Sequence, residues 1–221
     1  MPGLTLVIGN KTYSSWSLRP WFALKQAGIP FAEVRIPLRM PQTRERILEY
    51  SPSAKVPLLV DGSIKVWESL AILEYLAEKF PKECGWPSDA AARAFARSAA
   101  AEMHAGFAAL REELPMNCRA RRSGVTPSPA AREDIDRVVA LWRSARETYG
   151  RSGPWLCGAF GPIDAMFAPM ALRFLTYGVA VPGPAGDFVA AVRDAAPIRE
   201  WIEAAAKEPE VIEEVERGTP A

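Results

Sequence analysis

The chain has 221 residues, 49% of them hydrophobic and 24% charged, which is the balance of an ordinary globular protein rather than a disordered one. Its 27 basic and 26 acidic residues leave a net charge of +1, so no bulk field attracts nucleic acid or an anionic membrane. No apolar run approaches the roughly 20 residues that span a bilayer, so we expect no nucleic acid and no membrane among its partners.

Residues 1–82 alternate between strand and helix patterns. Apolar runs, turn dipeptides and helical spacings predict, in chain order, a strand at 4–8, a helix through 18–25, a strand at 31–36, a helix at 44–50, a hairpin at 57–67 and a helix at 69–80. This β-α-β-α-β-β-α order predicts a small mixed sheet with helices on its faces, as in a thioredoxin-like α/β domain.

The first predicted helix contains Pro20, and a proline disrupts a helix interior. Placing the N-cap at Ser17 removes the conflict, because Pro20 then lies in the first turn, where backbone donors have no partner inside the helix. We therefore expect Ser17 to cap this helix.

Beyond a linker at 84–88, every long segment has helical spacing, which predicts an all-α domain over residues 88–221. The expected helices are a long one through 95–114, a second through 135–149, a third opening at 161–164, and shorter ones at 186–194 and 198–207. The third has glycine as its N-cap, proline at its first position and Asp164 in its first turn, which favours a helix start.

Three cysteines, Cys84, Cys118 and Cys157, are widely separated and form neither a CxxC pair nor a metal-ligand cluster. This spacing favours a reducing compartment over a disulfide framework, and no metal is expected. The first eight residues also lack a basic stretch and a small-residue cleavage site, so no export signal is predicted. We expect a cytoplasmic location.

Arginines flank a proline- and serine-rich loop at 115–129, where Arg119, Arg121 and Arg122 lie close together. We interpret them as a solvated basic turn, with an anion-binding role at the mouth of a pocket as the alternative.

Serines occupy the junction between the first strand and the first helix, at Ser14, Ser15 and Ser17. Backbone N–H groups and the macrodipole favour negative charge at a helix N-terminus, so a thiol placed there has a lowered pKa and accepts a hydrogen bond from a hydroxyl. Considered alone, the serines are more simply explained as helix caps.

Two further segments carry polar or backbone groups suited to a peptide ligand. If the Val56–Pro57 bond is cis, Val56 can turn its N–H and C=O outward to pair with an extended peptide. Glu68 and Ser69, at the start of the last helix of the first domain, can hold the ammonium and the carboxylate of an amino acid. Considered alone, the pair is more simply explained by ordinary N-capping by Ser69.

The order of elements, with SSWSLR at 14–19, KVP at 55–57 and ES at 68–69, resembles the N-terminal half of the cytosolic glutathione S-transferases, and the helical half resembles their C-terminal domain. The resemblance implies the glutathione transferase fold, a thioredoxin-like N-terminal domain over 1–82 plus the all-α domain over 88–221. It also implies glutathione as co-substrate, a small hydrophobic electrophile as second substrate, a role in detoxification and a homodimer.

In that family a hydroxyl at the start of helix one activates the glutathione thiol, the residue before the cis-proline pairs with the cysteinyl backbone, and the acidic-Ser pair holds the γ-glutamyl end. Carried onto this sequence, the resemblance makes Ser14 the implied catalytic residue, chosen over Ser15 and Ser17 by its spacing from the helix. The implied glutathione-binding residues are Ser15, Lys55, Val56, Pro57, Glu68 and Ser69, with Lys55 near the glycine carboxylate. Which of the three serines contacts the thiol stays open.

The serine motif is similar to the SSCS start of the serine-type zeta class, which includes maleylacetoacetate isomerases. This sequence departs from it, because Trp16 replaces the cysteine and Pro20-Trp21 stand where Val-Arg is common. Conjugation is therefore expected ahead of isomerisation. Serine rather than cysteine at Ser14 also argues against thiol-exchange chemistry.

The second substrate is expected between the two domains, where such pockets commonly form. Its candidate lining residues are Trp16, Met103, His104, Phe107 and Arg111. The alternative for His104 is a structural histidine at the interface, and for the Met/Phe stripe an ordinary helix core. The rival to an enzyme is a non-enzymatic ligand-binding or protein-interaction module on the same fold.

Overall fold

The computed structural model describes residues 3–221. Four strands form one sheet in the order β2-β1-β3-β4, namely β1 (Leu4–Ile8), β2 (Phe31–Arg35), β3 (Leu58–Asp61) and β4 (Ile64–Trp67). β1 pairs with β2 in parallel and with β3 in the antiparallel sense, so Leu6 lies between Glu33 and Leu59. β3 and β4 form the predicted hairpin, and Gly62 in its turn has φ +60, a conformation that glycine adopts without steric cost.

Helices cover this sheet and link it to the second half of the chain. In the first half they are α1 (Ser15–Gln26), α2 (Thr43–Leu48), α3 (Ser69–Lys79) and the short α4 (Pro81–Cys84). The second half consists of α5 (Ala90–Ala105), α6 (Ala108–Glu113), α7 (Pro129–Thr148), α8 (Pro162–Tyr177), α9 (Pro184–Asp194) and α10 (Ala196–Ala206). The predicted fold class, a mixed sheet with helices followed by an all-helical part, is confirmed.

A small ribbon was not predicted. β5 (Arg122–Ser123) pairs antiparallel with β6 (Thr219–Pro220), which ties the chain's last residues to the loop between α6 and α7.

One apolar core runs through both halves of the molecule. Helix α8 lies at its centre with almost every side chain buried, and it packs against α1 and α5. Trp21 on α1 stacks edge-on against Trp201 on α10, with ring centroids 4.9 Å apart. The sheet half and the helical half are thus joined by one continuous apolar core.

The start of α8 follows the predicted pattern, with Gly161 as N-cap and Pro162 at the first position. The Asp164 carboxylate is buried and accepts two backbone hydrogen bonds, from the N–H of Gly161 at 2.9 Å and from the N–H of Leu156 at 2.8 Å. It therefore closes the preceding loop onto the helix while satisfying the N-cap's own donor.

Two helix predictions were wrong. Helix α1 is capped by Ser14 and not by Ser17, because the Ser17 hydroxyl accepts a hydrogen bond from the distant N–H of Gly9 at 3.1 Å. Pro20 consequently lies inside the helix rather than in its first turn. The long helix expected through 95–114 is broken between α5 and α6, where Phe107 has φ 63.

The prediction of a solvated basic turn was also wrong for two of its three arginines. Arg119 donates to the carbonyl oxygens of Glu208 and Glu210, at 2.8 and 3.1 Å, and Arg122 forms an ion pair with Glu216. Only Arg121 is exposed, and it bonds to the adjacent carbonyl. Arg119 and Arg122 therefore hold the C-terminal segment, whereas Arg121 fits the expected solvated turn.

That C-terminal segment in turn holds the loop before α1. The carboxylate of Glu208 is buried and accepts hydrogen bonds from the N–H of Lys11 at 2.7 Å and from the N–H and hydroxyl of Thr12, both at 2.9 Å. Tyr13 donates its hydroxyl to Glu216 at 2.6 Å. The residues that lead into Ser14 are thus fixed by groups some 200 positions along the chain.

Within residues 3–221, no helix is both long and apolar enough to cross a membrane.

Candidate functional site

A cleft of about 680 Å³ opens where the N-terminus of α1, the segment before β3 and the start of α3 meet. Its walls are formed by Trp16, Leu38, Arg39, Thr43, Ile47, Ser53, Ala54, Lys55, Val56, Pro57 and Glu68. Five of the predicted site residues, Trp16, Lys55, Val56, Pro57 and Glu68, therefore lie around one cavity although they come from three separate segments.

Unusual backbone conformations concentrate at this cleft. Four non-glycine residues among those described have positive φ, and three of them, Arg39 (φ 62), Ala54 (φ 53) and Glu68 (φ 67), line it. Such conformations cost about 1–3 kcal/mol each and persist where the surrounding structure imposes them, typically at binding sites.

The segment before β3 presents its backbone to the cleft. The Val56–Pro57 peptide bond is cis. Among the described residues, neither the N–H nor the C=O of Val56 takes part in a hydrogen bond, so both remain available to a ligand that approaches as an extended chain.

The hydroxyl of Ser14 lies at the N-terminus of α1 and is nearly buried. It donates to the Ser17 hydroxyl at 2.7 Å and accepts from the Ser17 N–H at 3.4 Å. The N–H of Trp16, in the first turn of the same helix, makes no hydrogen bond within residues 3–221. A free donor and the positive end of the helix dipole at this point favour a negatively charged ligand atom.

The neighbouring hydroxyls are committed elsewhere. Ser15 is buried and accepts a hydrogen bond from Arg173 at 3.3 Å, and Ser17 is fully buried against Gly9. The Tyr13 hydroxyl contacts Glu216 and Arg119 at 2.6 and 3.1 Å, away from the cleft. Ser14 is therefore the serine whose hydroxyl is bonded only within the first turn of α1, and it does not itself line the cleft.

Helix α3 begins at a second polar cluster. Glu68, and not Ser69, is its N-cap residue, and it makes no side-chain capping bond. The Ser69 hydroxyl is fully buried and accepts a hydrogen bond from Nη1 of the equally buried Arg19 at 3.0 Å. The N–H groups of Ser69 and Leu70 have no hydrogen-bond partner among the described residues, so this helix start also offers donors to an anion.

The predicted second pocket is brought together only in part. Trp16 and His104 meet edge-to-face with ring centroids 5.3 Å apart, and the Arg111 guanidinium lies 5.1 Å from the Trp16 ring. Met103 and Phe107, in contrast, are buried in the core, which is the alternative that an apolar helical stripe favours. The aromatic and basic members therefore remain as candidates, and the two apolar members support the core.

His104 lies in partly buried surroundings between Trp16 and the Glu68 carboxylate. Burial, followed by the nearby guanidinium of Arg19, holds its pKa below the ordinary value. Its Nε2 lies 3.8 Å from the Glu68 carboxylate, beyond hydrogen-bond distance.

Several cleft residues were not singled out from the sequence, namely Leu38, Arg39, Thr43, Ile47, Ser53 and Ala54. Leu38 and Arg39 follow β2, and Asn10 holds them there by accepting the N–H of Leu38 at 2.7 Å. No local sequence pattern predicts this loop, because its position depends on the hydrogen bond to Asn10, which lies 28 residues earlier in the chain.

The three thiols lie outside the cleft. Burial raises the pKa of Cys84 to about 11 and those of Cys118 and Cys157 to about 12. Such thiols are poor nucleophiles at neutral pH. In the part of the chain that the structure describes, no group of three or more His, Cys, Asp or Glu side chains is arranged to hold a metal ion.

Comparison with protein families gives a match between residues 13–79 and the model described as glutathione S-transferase, N-terminal domain. Among curated proteins, a 46-residue stretch is 48% identical to dichloromethane dehalogenase of Methylophilus leisingeri, covering 21% of this chain and 16% of that one. An 85-residue stretch is 39% identical to a probable maleylacetoacetate isomerase of Caenorhabditis elegans, covering 38% of each chain. The matched segments thus span well under two thirds of these relatives.

Solved structures match over nearly the whole chain. A glutathione transferase homologue from Burkholderia, determined with bound glutathione, is 23% identical, covers 93% of this chain and 100% of its own, and gives a TM-score of 0.68. The tau-class glutathione S-transferase of mango, Mangifera indica, is 19% identical over 93% and 96% of the two chains, with a TM-score of 0.69. The fold is therefore that of the glutathione transferases.

Proposed function

We propose that this chain, which belongs to the cytosolic glutathione S-transferase superfamily, binds glutathione in the cleft, ionises its thiol beside Ser14 and transfers the thiolate sulfur to an electrophile. The observation that carries the proposal is the convergence of two free helix N-termini, at Trp16 and Ser69, with the unpaired backbone of Val56.

Each part of glutathione finds a complementary group. The N-terminus of α3, with the Ser69 hydroxyl, suits the α-carboxylate of the γ-glutamyl end, and Glu68 suits its ammonium group. Val56 is placed to pair with the cysteinyl backbone, and the exposed Lys55 at the rim suits the glycine carboxylate.

The thiol of glutathione, so held, lies at the N-terminus of α1. There the helix dipole and the free N–H of Trp16 stabilise a thiolate, and the Ser14 hydroxyl donates to it after turning away from Ser17. The thiolate then attacks the electrophilic carbon, a C–S bond forms, and the leaving group departs with the bonding electron pair. The protein speeds the reaction by keeping the glutathione thiol ionised and by holding it next to the electrophile.

The second substrate belongs on the side of the helical half, next to Trp16, His104 and Arg111. We expect a small electrophile whose apolar part contacts the Trp16 ring. A homodimer and a cytoplasmic location complete the proposal; light scattering of the purified protein tests the first.

A glutathione-dependent isomerase is the second candidate. The C. elegans relative and the Ser14-Ser15-x-Ser17 motif favour it, while Trp16 in place of the zeta-class cysteine argues against it. A binding module without turnover is the remaining alternative, and it predicts glutathione binding with no product from any electrophile.

Calorimetric titration with glutathione, followed by a spectrophotometric assay with 1-chloro-2,4-dinitrobenzene, tests the proposal. We expect saturable binding and glutathione-dependent product formation. Lys55→Ala, at the rim of the cleft, should weaken glutathione binding about 3- to 10-fold, as loss of an exposed charge contact does. Lys82→Ala, an exposed lysine outside this cleft, is the matched control and should change nothing. Absence of glutathione binding by the wild type would contradict the proposed function.

A further inference from the structure

We propose that the second substrate carries an anionic group, a carboxylate or its equivalent, which binds to Arg111 beside Trp16. This inference rests on the proposed function and deepens it, because it replaces a purely apolar electrophile with an acidic one. It comes from a cluster of arginines that sequence analysis did not assemble.

Three guanidinium groups, of Arg19, Arg111 and Arg173, lie near one another: Arg19 and Arg111 both contact the Trp16 ring, and Arg173 donates to the Arg111 carbonyl oxygen. Burial, and after it the neighbouring guanidiniums, lowers the pKa of Arg19 and of Arg173. None of the three forms an ion pair within 4.0 Å among residues 3–221. Buried charge without a counter-charge is costly, so natural proteins rarely retain it without a partner or a ligand.

Arg19 is the least compensated of the three. It is fully buried, its guanidinium carbon lies 4.2 Å from the Trp16 ring, and its Nε and Nη2 have no hydrogen-bond partner. Its single bond, to Ser69, is to an uncharged hydroxyl. The cation therefore projects an unbalanced positive field toward the cleft wall that Trp16 forms.

Arg173 adds a second buried positive charge next to Arg111. It is buried, and it donates to the carbonyl oxygens of Arg111 and Leu114 at 3.2 and 2.6 Å and to the Ser15 hydroxyl, all of them uncharged. Its Nε is also without a partner.

Arg111 is partly exposed, whereas Arg19 and Arg173 are buried, and it contacts the Trp16 ring from outside the residues that line the cleft. Its Nε donates to the Gly106 carbonyl at 2.9 Å and its Nη2 to the Met103 carbonyl, so the break between α5 and α6 fixes the plane of the guanidinium. Its Nη1 makes no hydrogen bond within residues 3–221 and is not sealed from solvent. A guanidinium held on one edge and free on the other is preorganised for an oxyanion.

Two carboxylates lie near the three arginines and do not neutralise their combined positive charge. Glu68 is half exposed and faces His104, and Asp134 accepts the N–H of Leu110 at 3.0 Å at the start of α6. Three guanidiniums against two carboxylates leave this side of Trp16 with an excess of positive charge.

Glutathione itself has two carboxylates, but the proposed function assigns these to Ser69 and Lys55. Arg111 belongs to α6 in the helical half, next to Trp16 and His104. This placement favours the acceptor as the source of the anion. If glutathione were the source, Arg111→Gln would weaken glutathione binding, which calorimetry measures separately.

The test uses a matched pair of aryl chlorides, 4-chloro-3-nitrobenzoate and its neutral amide. In both, the glutathione thiolate forms a C–S bond and chloride leaves with the C–Cl electron pair. Each kcat/KM is divided by the uncatalysed rate with glutathione. We expect the normalised value to be about 10-fold or more higher for the benzoate, through its KM, as a charge-assisted contact provides.

Variants locate the effect. Arg111→Gln should reduce the preference, the ratio of the two normalised values, to about 1, and any loss of turnover common to both compounds cancels in this ratio. Arg111→Lys should keep part of the preference. The matched control is Arg121→Gln, which removes an exposed arginine and should keep the full preference. Circular dichroism confirms that each variant is folded.

Equal normalised values for the two compounds in the wild type, or a preference that survives Arg111→Gln, would overturn the inference. If neither compound is turned over, calorimetric binding of the benzoate and the amide to the wild type decides, because the inference still requires the benzoate to bind more tightly. Glutathione binding in the same samples shows whether the proposed function has failed independently.

Discussion

Arg19 and Ser69 are fifty residues apart in the chain, yet the guanidinium of the first donates to the hydroxyl of the second at 3.0 Å with both side chains fully buried. Arg19 lies on α1 and Ser69 begins α3, so this bond joins the two helices whose N-termini face the cleft. Because Ser69 accepts from Arg19, its own O–H is left to donate to a ligand carboxylate.

Ser69→Ala should therefore raise the dissociation constant of glutathione about 10-fold, because it removes a hydrogen bond to a charged group. The turnover number at saturating glutathione should change little, since the thiol lies at the other helix. Calorimetry and steady-state kinetics measure the two quantities. Ser63→Ala, at an exposed turn position, is the control. A large fall in turnover with unchanged affinity would contradict this assignment.

Asp164→Ala should lower the free energy of unfolding by about 2–4 kcal/mol, because it leaves the buried N–H groups of Leu156 and Gly161 without acceptors. Urea denaturation measures the change. Asp187→Ala is the matched control, since Asp187 is an exposed aspartate in the first turn of α9, and its cost should stay within about 0.5 kcal/mol. Equal effects of the two substitutions would refute the capping role.

Burial raises the pKa of Asp164 to about 7 despite its hydrogen bonds. The unfolded state therefore ionises first, at the ordinary value of about 4, and the contribution of this group to stability falls as pH rises from about 4 to 7. Urea midpoints of the wild type and Asp164→Asn should diverge over that window, with the wild type losing stability relative to the variant. Parallel pH profiles would contradict the raised pKa.

Glu208→Gln should lower the unfolding free energy by about 2–3 kcal/mol, because an amide NH₂ would oppose one of the donors that Lys11 and Thr12 present. Since that loop leads into Ser14, turnover should fall as well. Glu203→Gln, an exposed glutamate on α10, is the control for both urea denaturation and activity. Wild-type turnover in Glu208→Gln would show that the loop before Ser14 needs no support from the C-terminal segment.

Native protein at pH 7.5 should react with iodoacetamide at least about 100-fold more slowly than free cysteine, because thiols of pKa about 11 and 12 hold little thiolate. The raised pKa values also make the free energy of unfolding depend on pH. Because unfolded thiols ionise above about pH 8.5 and the buried ones do not, the folded state loses stability as the pH rises above that value. Mass spectrometry of labelled protein, with urea-unfolded protein as the control, counts the modified cysteines. Rapid labelling of any one in the native state would contradict its burial.

Local sequence patterns were sufficient to predict the turns and helix starts that are determined by neighbouring residues. Asp61-Gly62 specified the hairpin, and Gly161-Pro162 with Asp164 specified the start of α8. The Val56–Pro57 bond is cis, which was the condition for Val56 to present its backbone to a ligand, and five predicted site residues surround one cleft.

Long-range contacts explain the two wrong helix predictions and the arginine cluster that the sequence did not predict. Ser17 does not cap α1 because Gly9 occupies its hydroxyl, and the break at Phe107 is stabilised by Arg111, which binds the carbonyl oxygens that the break exposes. The arginine cluster draws on helices far apart in sequence, so no local pattern indicates it.

The central claim is that this protein lowers the pKa of the glutathione thiol at Ser14. The direct measurement is the ultraviolet thiolate absorbance of protein-bound glutathione against pH, for the wild type and for Ser14→Ala. We predict a bound-thiol pKa at least about one unit below that of free glutathione in the wild type, and most of that shift lost in Ser14→Ala while glutathione still binds. A bound thiol that titrates like free glutathione, or a shift that Ser14→Ala leaves intact, would contradict the account.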